Sequence, residues 1–173
     1  MIIAAKNVAA MPEFAGMNFE TLSRKLEAIE NIVRKYTHNN FQNPQVRIYA
    51  ASDGSCIDGF SDYLKAGDTV QITESINAGL YVIERIENGK IYVDKPLYSV
   101  PLNVVTKVEY PPDVIEGALN MLKWEVTGRD KVGIKSETLS RHSVTYYDID
   151  NNSALGYPTA LLGFLRPYMR ARF

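Results

Sequence analysis

Side chains able to act as nucleophile, base or acid are concentrated in one short stretch, GIKSETLSRHSVTY, at positions 133 to 146. Its polar members include Lys135, Ser136, Glu137, Ser140, Arg141, His142 and Ser143. A catalytic serine is defined by its geometry in space, and the stretch has neither a Gly-x-Ser-x-Gly elbow nor a Ser-x-x-Lys pattern. Alternating serine, threonine and charged residues also describe an extended segment that hydrogen-bonds to its own fold or to a neighbouring chain. We therefore expect no catalytic residue here.

Metal and phosphate sites have little support elsewhere in the chain. The segment SDGSCIDGFSD resembles a calcium loop in composition, but Ile57 stands where an EF-hand needs an oxygen ligand. No Gly-Lys-Ser or Gly-Lys-Thr sequence is present to bind phosphate. Cys56, His38 and His142 are too few for a zinc site, and Cys56 fits a small buried hydrophobe. We expect no metal and no cofactor.

Composition indicates a folded chain outside the class of general nucleic-acid binders. The 173 residues are 46% hydrophobic and 23% charged, with a net charge of -1. The chain therefore lacks the low hydrophobic content of disordered proteins and the strong positive charge of general nucleic-acid binders. A single cysteine excludes an internal disulfide. The N-terminal MIIAAKNVAAM is too short to span a membrane and lacks the charged start of a signal peptide. We expect a soluble protein that is made in the cytoplasm and has no membrane partner.

The elements that must position the polar stretch begin with an amphipathic helix, from Asn18 to about residue 40. Apolar residues recur every three or four positions, at Leu22, Leu26, Ile29 and Val33, as one buried face of a helix requires. Asn18 is a suitable N-cap, because its side chain can accept hydrogen bonds from the first free backbone amides.

A region of strands follows, from Val46 to Tyr110. It is rich in Val, Ile, Thr and Tyr and is interrupted by Gly, Asn and Asp, which is typical of short strands joined by turns. The pair Asn88-Gly89 predicts a two-residue hairpin, because both central positions of that turn need positive φ. We predict a meander that forms part of a small SH3-like barrel.

Helical spacing returns after Pro111-Pro112 and ends near Gly128, and a last helix is predicted from Tyr157-Pro158. The order predicts an α+β fold, with a small body of about three to four helices and an inserted antiparallel β lobe. We assign 1–45 and 111–173 to the helical body, 46–110 to the β lobe, and about 129–150 to an extended assembly arm within the body.

Three segments together resemble the head-tail connector family of tailed bacteriophages, the adaptor or head-completion proteins that lie beneath the portal ring. They are IVRKYTHNNF at the end of the first helix, GIKSETLSRHSVTY, and the terminal GYPTALLGFLRPYMR. The resemblance covers both helical flanks, about half of the chain, and depends on the order and spacing of the three segments. The β lobe departs from it, since smaller members of the family have a short connection at that place.

The resemblance implies a structural protein without enzymatic activity. Such a protein assembles into a ring, usually of twelve subunits, in the virion at the head-tail interface. Its partners would be copies of itself, the portal protein and a downstream tail-completion or stopper protein. DNA would pass through the ring without sequence-specific binding, and the near-neutral net charge permits this because a strongly basic lining would hold the phosphates.

Two groups of residues are the candidate assembly sites. Polar and charged side chains of the extended segment would pair with an adjacent subunit in the ring, at Lys135, Ser136, Glu137 and Arg141. The C-terminus has arginines and aromatic rings but no carboxylate side chain, which suits docking to acidic groups of a portal subunit. Its candidate docking residues are Arg166, Tyr168, Arg170, Arg172 and Phe173. An ordinary solvated helix end is the alternative for the C-terminus.

An alternative function is that the β lobe is an SH3-like module that binds nucleic acid or peptide, which would make the protein regulatory. Such a module needs a basic or aromatic face. In the lobe, acidic side chains outnumber basic ones. The charge therefore opposes a nucleic-acid ligand, while the peptide alternative stays open.

Overall fold

The chain is a mixed α+β protein whose computed structural model describes residues 1–54, 56–127, 136–139, 142–145 and 153–171. It divides into two compact units, each discontinuous in sequence. One is a β unit of Met1–Ala4 and Asn40–Tyr110, and the other is a helical unit of Ala5–Asn39 and Pro111–Phe173. The sequence-based boundary at residue 46 lies a few residues inside the β unit. Within the described residues, no helix is long and apolar enough to cross a membrane.

The β unit is built on one antiparallel sheet of six strands. They are β1 (Gln42–Asp53), β2 (Cys56–Asp58), β3 (Thr69–Thr73), β4 (Gly79–Glu87), β5 (Lys90–Val93) and β6 (Val100–Val108). The spatial order is β1-β2-β5-β4-β3-β6, and β6 also pairs with β1. Each of the six strands therefore has a hydrogen-bonded neighbour on both sides.

The interior of the sheet comes from the period-two pattern of its strands. Val70 and Ile72 on β3, and Ile83 on β4, are each at most 1% exposed and pack in one cluster with Ile91 and Val105. The turn between β4 and β5 confirms the prediction from Asn88-Gly89, since both residues have positive φ, at 52° and 74°. The flanking strands pair in register on either side of that turn.

The chain enters and leaves the β unit at nearly the same place. The Glu109 amide donates to the Phe41 carbonyl at 2.9 Å, and the rings of Phe41 and Tyr110 lie 4.8 Å apart. Two adjacent ends are the geometry that an inserted module requires, because the host elements can then continue with little distortion.

The helical unit contains α1 (Ala5–Ala9), a short 3-10 helix (Pro12–Phe14), α2 (Phe19–Thr37) and α3 (Pro112–Thr127). The predicted N-cap of α2 is confirmed, because the Asn18 side chain accepts from the amides of Glu20 and Thr21 at 2.9 and 3.2 Å. His38 ends α2 in the left-handed conformation with φ 50°. The stretch of α1 and the short 3-10 helix was not predicted from sequence.

The C-terminal segment differs from the predicted helix in its start and its type. Tyr157–Pro158 form a short strand, β10, paired with β9 (Ser153–Ala154), and a 3-10 helix follows over Thr159–Tyr168. Three residues per turn place Leu162 and Leu165 on one face, and both are buried. The 3-10 helix packs against α2 and α3.

A glycine in α3 permits close approach of the C-terminal 3-10 helix. Gly117 is buried, and a Cβ atom at this position would overlap the ring of Phe164. The ring of Trp124, also on α3, lies 5.2 Å from the ring of Tyr157 in β10. These aromatic contacts join the start and middle of the C-terminal segment to α3.

The polar stretch contains an antiparallel hairpin of β7 (Ser136–Leu139) and β8 (His142–Thr145). The sequence predicts a short extended segment or loop over residues 143 to 146; residues 143 to 145 lie in β8, and Tyr146 lies outside the described residues. Two residues connect the strands, and the register pairs Leu139 with His142 and Ser136 with Thr145.

Candidate assembly surfaces

Of the four residues predicted for the assembly arm, two lie in the described part of the chain. Ser136 and Glu137 are the first two residues of β7, where they pair with Thr145 and Val144. Lys135 and Arg141 lie outside the described residues. The arm is therefore described as a backbone hairpin, and the pairing of its charges with another subunit stays a prediction.

The end of the C-terminal segment is held by the helical unit. The Tyr168 hydroxyl lies 2.7 and 2.8 Å from the two carboxylate oxygens of Asp113 and donates to that group. The Asn39 side-chain amide donates to the Tyr168 carbonyl at 3.3 Å, and the Arg170 amide donates to the Thr37 carbonyl at 2.8 Å. These last two bonds fix the backbone at residues 168 and 170.

The side chains predicted to dock with portal therefore have different surroundings. Arg166 and Arg170 are exposed and available to a partner. Tyr168 is half-buried and uses its hydroxyl within the chain, so it positions the segment. Arg172 and Phe173 lie outside the described residues. Of the residues predicted to dock, Arg166 and Arg170 thus stay exposed, with Met169, which is 50% exposed, between them.

The bond to Asp113 also changes the titration of Tyr168. Because the hydrogen bond to Asp113, partial burial and the negative charge of Asp113 favour the protonated phenol, the pKa of Tyr168 is raised above its usual value. The hydroxyl stays a donor over the whole neutral range.

Two ion pairs tie α3 to the elements around it. Lys25 on α2 lies 2.9 Å from Glu125, and Lys123 lies 2.9 Å from Glu13. The Lys123 hydrogen bond lowers the pKa of Glu13, and the same bond raises the pKa of Lys123. The Lys25 pair is the more protected one, since the Glu125 side chain is 6% exposed. Both pairs use carboxylates and ammonium groups that are then less available to a partner.

The β unit presents several large apolar side chains to solvent. Tyr63 is 72% exposed, Ile76 is 70%, and Tyr49 and Tyr98 are 67% each. Aromatic rings of this kind can stack on bases or pack on peptides. Arg85 covers the ring of Tyr92 at 3.8 Å, and it also lies 3.4 Å from the Glu87 carboxylate. These are the residues that the alternative binding function would use.

A buried polar network fixes the loops at one end of the β unit. The Asn77 side chain donates to the Ser52 hydroxyl and the Tyr98 carbonyl, both at 3.0 Å, and accepts from the Tyr98 amide at 2.8 Å. Asn103 accepts from Ser75 at 2.6 Å and donates to the Ala50 carbonyl at 3.2 Å. The network positions the exposed side chains Ile76 and Tyr98, which are adjacent to its members.

A cluster of charged side chains in the β unit lies around Lys107. Its ammonium group is 3.1 Å from Asp68, 3.2 Å from Glu109 and 3.1 Å from the Tyr63 carbonyl. Burial opposes the charge, but the hydrogen bonds and charges of the two carboxylates outweigh it and raise the pKa of Lys107. The Asn43 amide and then Lys107 lower the pKa of Glu109.

An open groove of about 500 Å³ runs beside β2. Its lining includes Asp53, Asp58, Lys90 and the free thiol of Cys56. Cys56, which sequence analysis interpreted as a small buried hydrophobe, is half-buried. Across the described residues, no group of three His, Cys, Asp or Glu side chains is arranged to hold a metal ion.

Sequence analysis missed the residues that hold the C-terminal segment. Asp113 is 55 residues from Tyr168, and Asn39 is 129 residues from it, so no local pattern joins them. No local pattern predicts the hydrogen bonds of Asn77 either, because its partners lie 21 to 26 positions away. Only the mixture of asparagine and apolar residues in β6 hinted at a buried polar group.

No protein-family model matches the chain, and no curated protein sequence matches it.

Proposed function

We propose that the chain is a structural head-tail connector, or portal adaptor, of a tailed bacteriophage or prophage. It would form a ring below the portal in the virion, with the twelve subunits that the resemblance implies. The ring would join the head to a tail-completion or stopper protein and continue the DNA channel. No chemical step is part of this function.

The observation that carries the proposal is a contact between two of the three resembling segments. Thr37 and Asn39 belong to IVRKYTHNNF, and Tyr168 and Arg170 belong to the terminal segment. Hydrogen bonds join them in pairs, Thr37 with Arg170 and Asn39 with Tyr168. Segments far apart in sequence thus pack together in the helical unit, which supports treating their resemblance as a single feature.

The insertion geometry is a second support. In the sequence, residues 40–110 of the β unit lie between α2 and α3. A backbone hydrogen bond joins Phe41 and Glu109, which are close to the two ends of this range. A family member with a short connection could therefore acquire this unit without changing the helices. We propose in addition that the six strands form a small SH3-like barrel, because the strand order returns from β6 to β1 around an apolar interior.

Electron microscopy of the purified protein tests the ring. Negative-stain images of the protein alone, and of the protein mixed with portal, should show rings with a central hole. Particles that stay monomeric in both samples would contradict the proposal.

Portal binding tests the role of the exposed arginines. Deleting the chain after Pro167 would also remove the anchors at residues 168 and 170, so charge reversal is the cleaner change. We expect Arg166→Glu with Arg170→Glu to weaken co-sedimentation with portal by about thirtyfold, or about 2 kcal/mol, as for lost interfacial charge pairs. The matched control is Arg24→Glu with Lys35→Glu on α2, where both side chains are exposed. Equal binding by both double variants would place the docking surface elsewhere.

A second candidate function is favoured by the exposed aromatic rings of the β unit. Tyr49, Tyr63 and Tyr98 could contact a peptide or the bases of single-stranded nucleic acid. The acidic excess of the lobe weighs against nucleic acid, because phosphate binding depends on basic side chains. A gel-shift titration over a salt series separates the two functions, since tight and salt-sensitive binding would support the regulatory module.

A further inference from the structure

One end of the β unit presents large apolar and acidic side chains to solvent. Each belongs to the buried polar network or lies next to one of its members in the chain. Asn77 bonds to Ser52 of β1 at 3.0 Å and to Asn103 of β6 at 3.2 Å, which brings these parts of the chain together. We call the exposed residues at this place the network end, and they are Asp53, Glu74, Ile76, Tyr98 and Leu102.

The backbone of the network end is fixed by the fold. Tyr98 joins the network through its backbone amide and carbonyl, so its exposed ring is not used there. Glu74 has a positive φ of 60°, a conformation that residues other than glycine and asparagine rarely adopt. A surface that is already ordered loses little freedom on binding, which favours association with a partner.

The charge of the network end is negative. In the part of the chain that the structure describes, no ion pair includes Asp53 or Glu74. The open groove beside β2 adjoins the network end, since Asp53 also lines that groove, together with Asp58 and Lys90. The complement of this surface is a pair of basic groups beside an apolar side chain.

The exposed part of the C-terminal segment has this composition. Arg166 and Arg170 are exposed on either side of the exposed Met169, and neither arginine belongs to an ion pair among the described residues. We infer that the network end of one copy binds Arg166, Met169 and Arg170 of a second copy. Tyrosine, methionine and arginine are enriched in protein interfaces, and a guanidinium group can bind a carboxylate through two hydrogen bonds.

This inference rests on the proposed ring, for which it supplies the contact between neighbouring subunits. Two different surfaces meet, so the same contact repeats from copy to copy, as a ring requires. Portal is the competing partner of the same arginines, and the experiment must separate the two partners.

Charge reversal on each side tests the contact. We expect Asp53→Arg with Glu74→Arg to abolish rings in sedimentation velocity, with unchanged circular dichroism. Arg166→Glu with Arg170→Glu should abolish them as well. The two double variants mixed one to one should form rings again, because every contact then joins an acidic surface to a basic one.

Matched variants separate the surface from net charge and from exposed apolar area. Asp62→Arg with Glu84→Arg reverses two exposed carboxylates elsewhere in the β unit and should keep the rings. Ile76→Ser with Tyr98→Ser spares the bonds of the network and should abolish the rings. Tyr63→Ser, at a position that is more exposed than either, should keep them.

The outcomes distinguish the contact from the ring. Rings formed by each charge-reversed variant alone would overturn the inference and leave the proposed function intact. A mixture that stays monomeric would also overturn it, and loss of portal binding by the arginine variant would then assign the arginines to portal. Pairs of unmodified copies that depend on the two surfaces but never close into rings would support the inference and reject the ring. An unmodified chain that stays monomeric, alone and with portal, would reject both.

Discussion

At the scale of single residues, Asn103 is an amide side chain at a fully buried position of β6, with 0% exposure. Its oxygen accepts from Ser75 and Asn77, and its nitrogen donates to Ser52 and the Ala50 carbonyl. A buried donor or acceptor left without a partner costs about 1–3 kcal/mol. The network therefore stabilises the β unit only while every member is present.

The first prediction follows from this dependence. We expect Asn103→Leu to lower the free energy of unfolding by about 1–3 kcal/mol for each buried partner left unsatisfied, measured by urea denaturation. The control is Asn31→Leu, at an exposed position of α2, with a change within about 0.5 kcal/mol. Equal losses in the two variants would show that the network contributes nothing specific.

The second prediction concerns pH and the cluster around Lys107. Because the pKa of Glu109 is lowered on folding, its contribution to the free energy of unfolding is present above pH 4.5, and it is lost as pH falls through the folded-state pKa. Because the pKa of Lys107 is raised on folding, its contribution to the free energy of unfolding is present below pH 10.5, and it is lost as pH rises through the folded-state pKa. Lys107→Met should remove the contribution of Lys107 to stability, which the wild type loses only at alkaline pH. The free energy of unfolding at pH 7 should fall by about 1–3 kcal/mol, because Asp68 is left without this partner.

The measurement is the free energy of unfolding of wild type and Lys107→Met between about pH 3 and pH 11, a range that includes the ordinary pKa values of Glu and Lys side chains. The difference between wild type and variant should be largest near neutral pH and should shrink above pH 10.5. A difference that stays constant into the alkaline range would exclude titration of Lys107 as its cause.

At the scale of elements, contact between α3 and the C-terminal 3-10 helix depends on the absence of a side chain at Gly117. The ring of Phe164 occupies the space that a Cβ atom would need. Gly117→Ala should therefore destabilise the chain by about 1–3 kcal/mol through overpacking, although alanine favours a helix. Thermal and urea unfolding measure the change.

The matched control for this prediction is Gly163→Ala, because a Cβ atom at that position would meet nothing within 4 Å. It should be neutral or slightly stabilising, since alanine restricts the unfolded chain. In the background of Phe164→Ala, the cost of Gly117→Ala should largely disappear. A cost that persists there would assign the effect to the helix backbone.

Elements with local causes were predictable from sequence. The N-cap at Asn18 depends on amides two and three residues away, and the turn at Asn88-Gly89 depends on two adjacent residues. The C-terminal 3-10 helix was not predictable, because its type reflects packing of Leu162 and Leu165 in the helical unit. The anchor at Tyr168 was hidden for the same reason, since Asp113 lies on a different element.

At the scale of the whole molecule, the β unit should be separable from the rest of the chain. Its apolar cluster draws only on residues between Val46 and Val105. Its polar network lies within the same range, and its ends meet through Phe41 and Tyr110. A fragment of residues 40–110 keeps this cluster and this network, and it loses Met1–Ala4 with the hydrogen bonds between Met1 and Thr69.

The last prediction is that a fragment of residues 40–110 folds alone and does not bind DNA tightly. Its circular dichroism should show strands, and its unfolding in urea should be cooperative. Because acidic side chains outnumber basic ones in the fragment, its affinity for single-stranded DNA should be weak and should change little between low and moderate salt. Lys107→Met, which breaks the cluster around Lys107, is the control that should lower the stability of the fragment as in the whole chain. Tight binding that weakens steeply with salt would favour the regulatory module over the connector, and a fragment that never folds would show that the β unit depends on the helices.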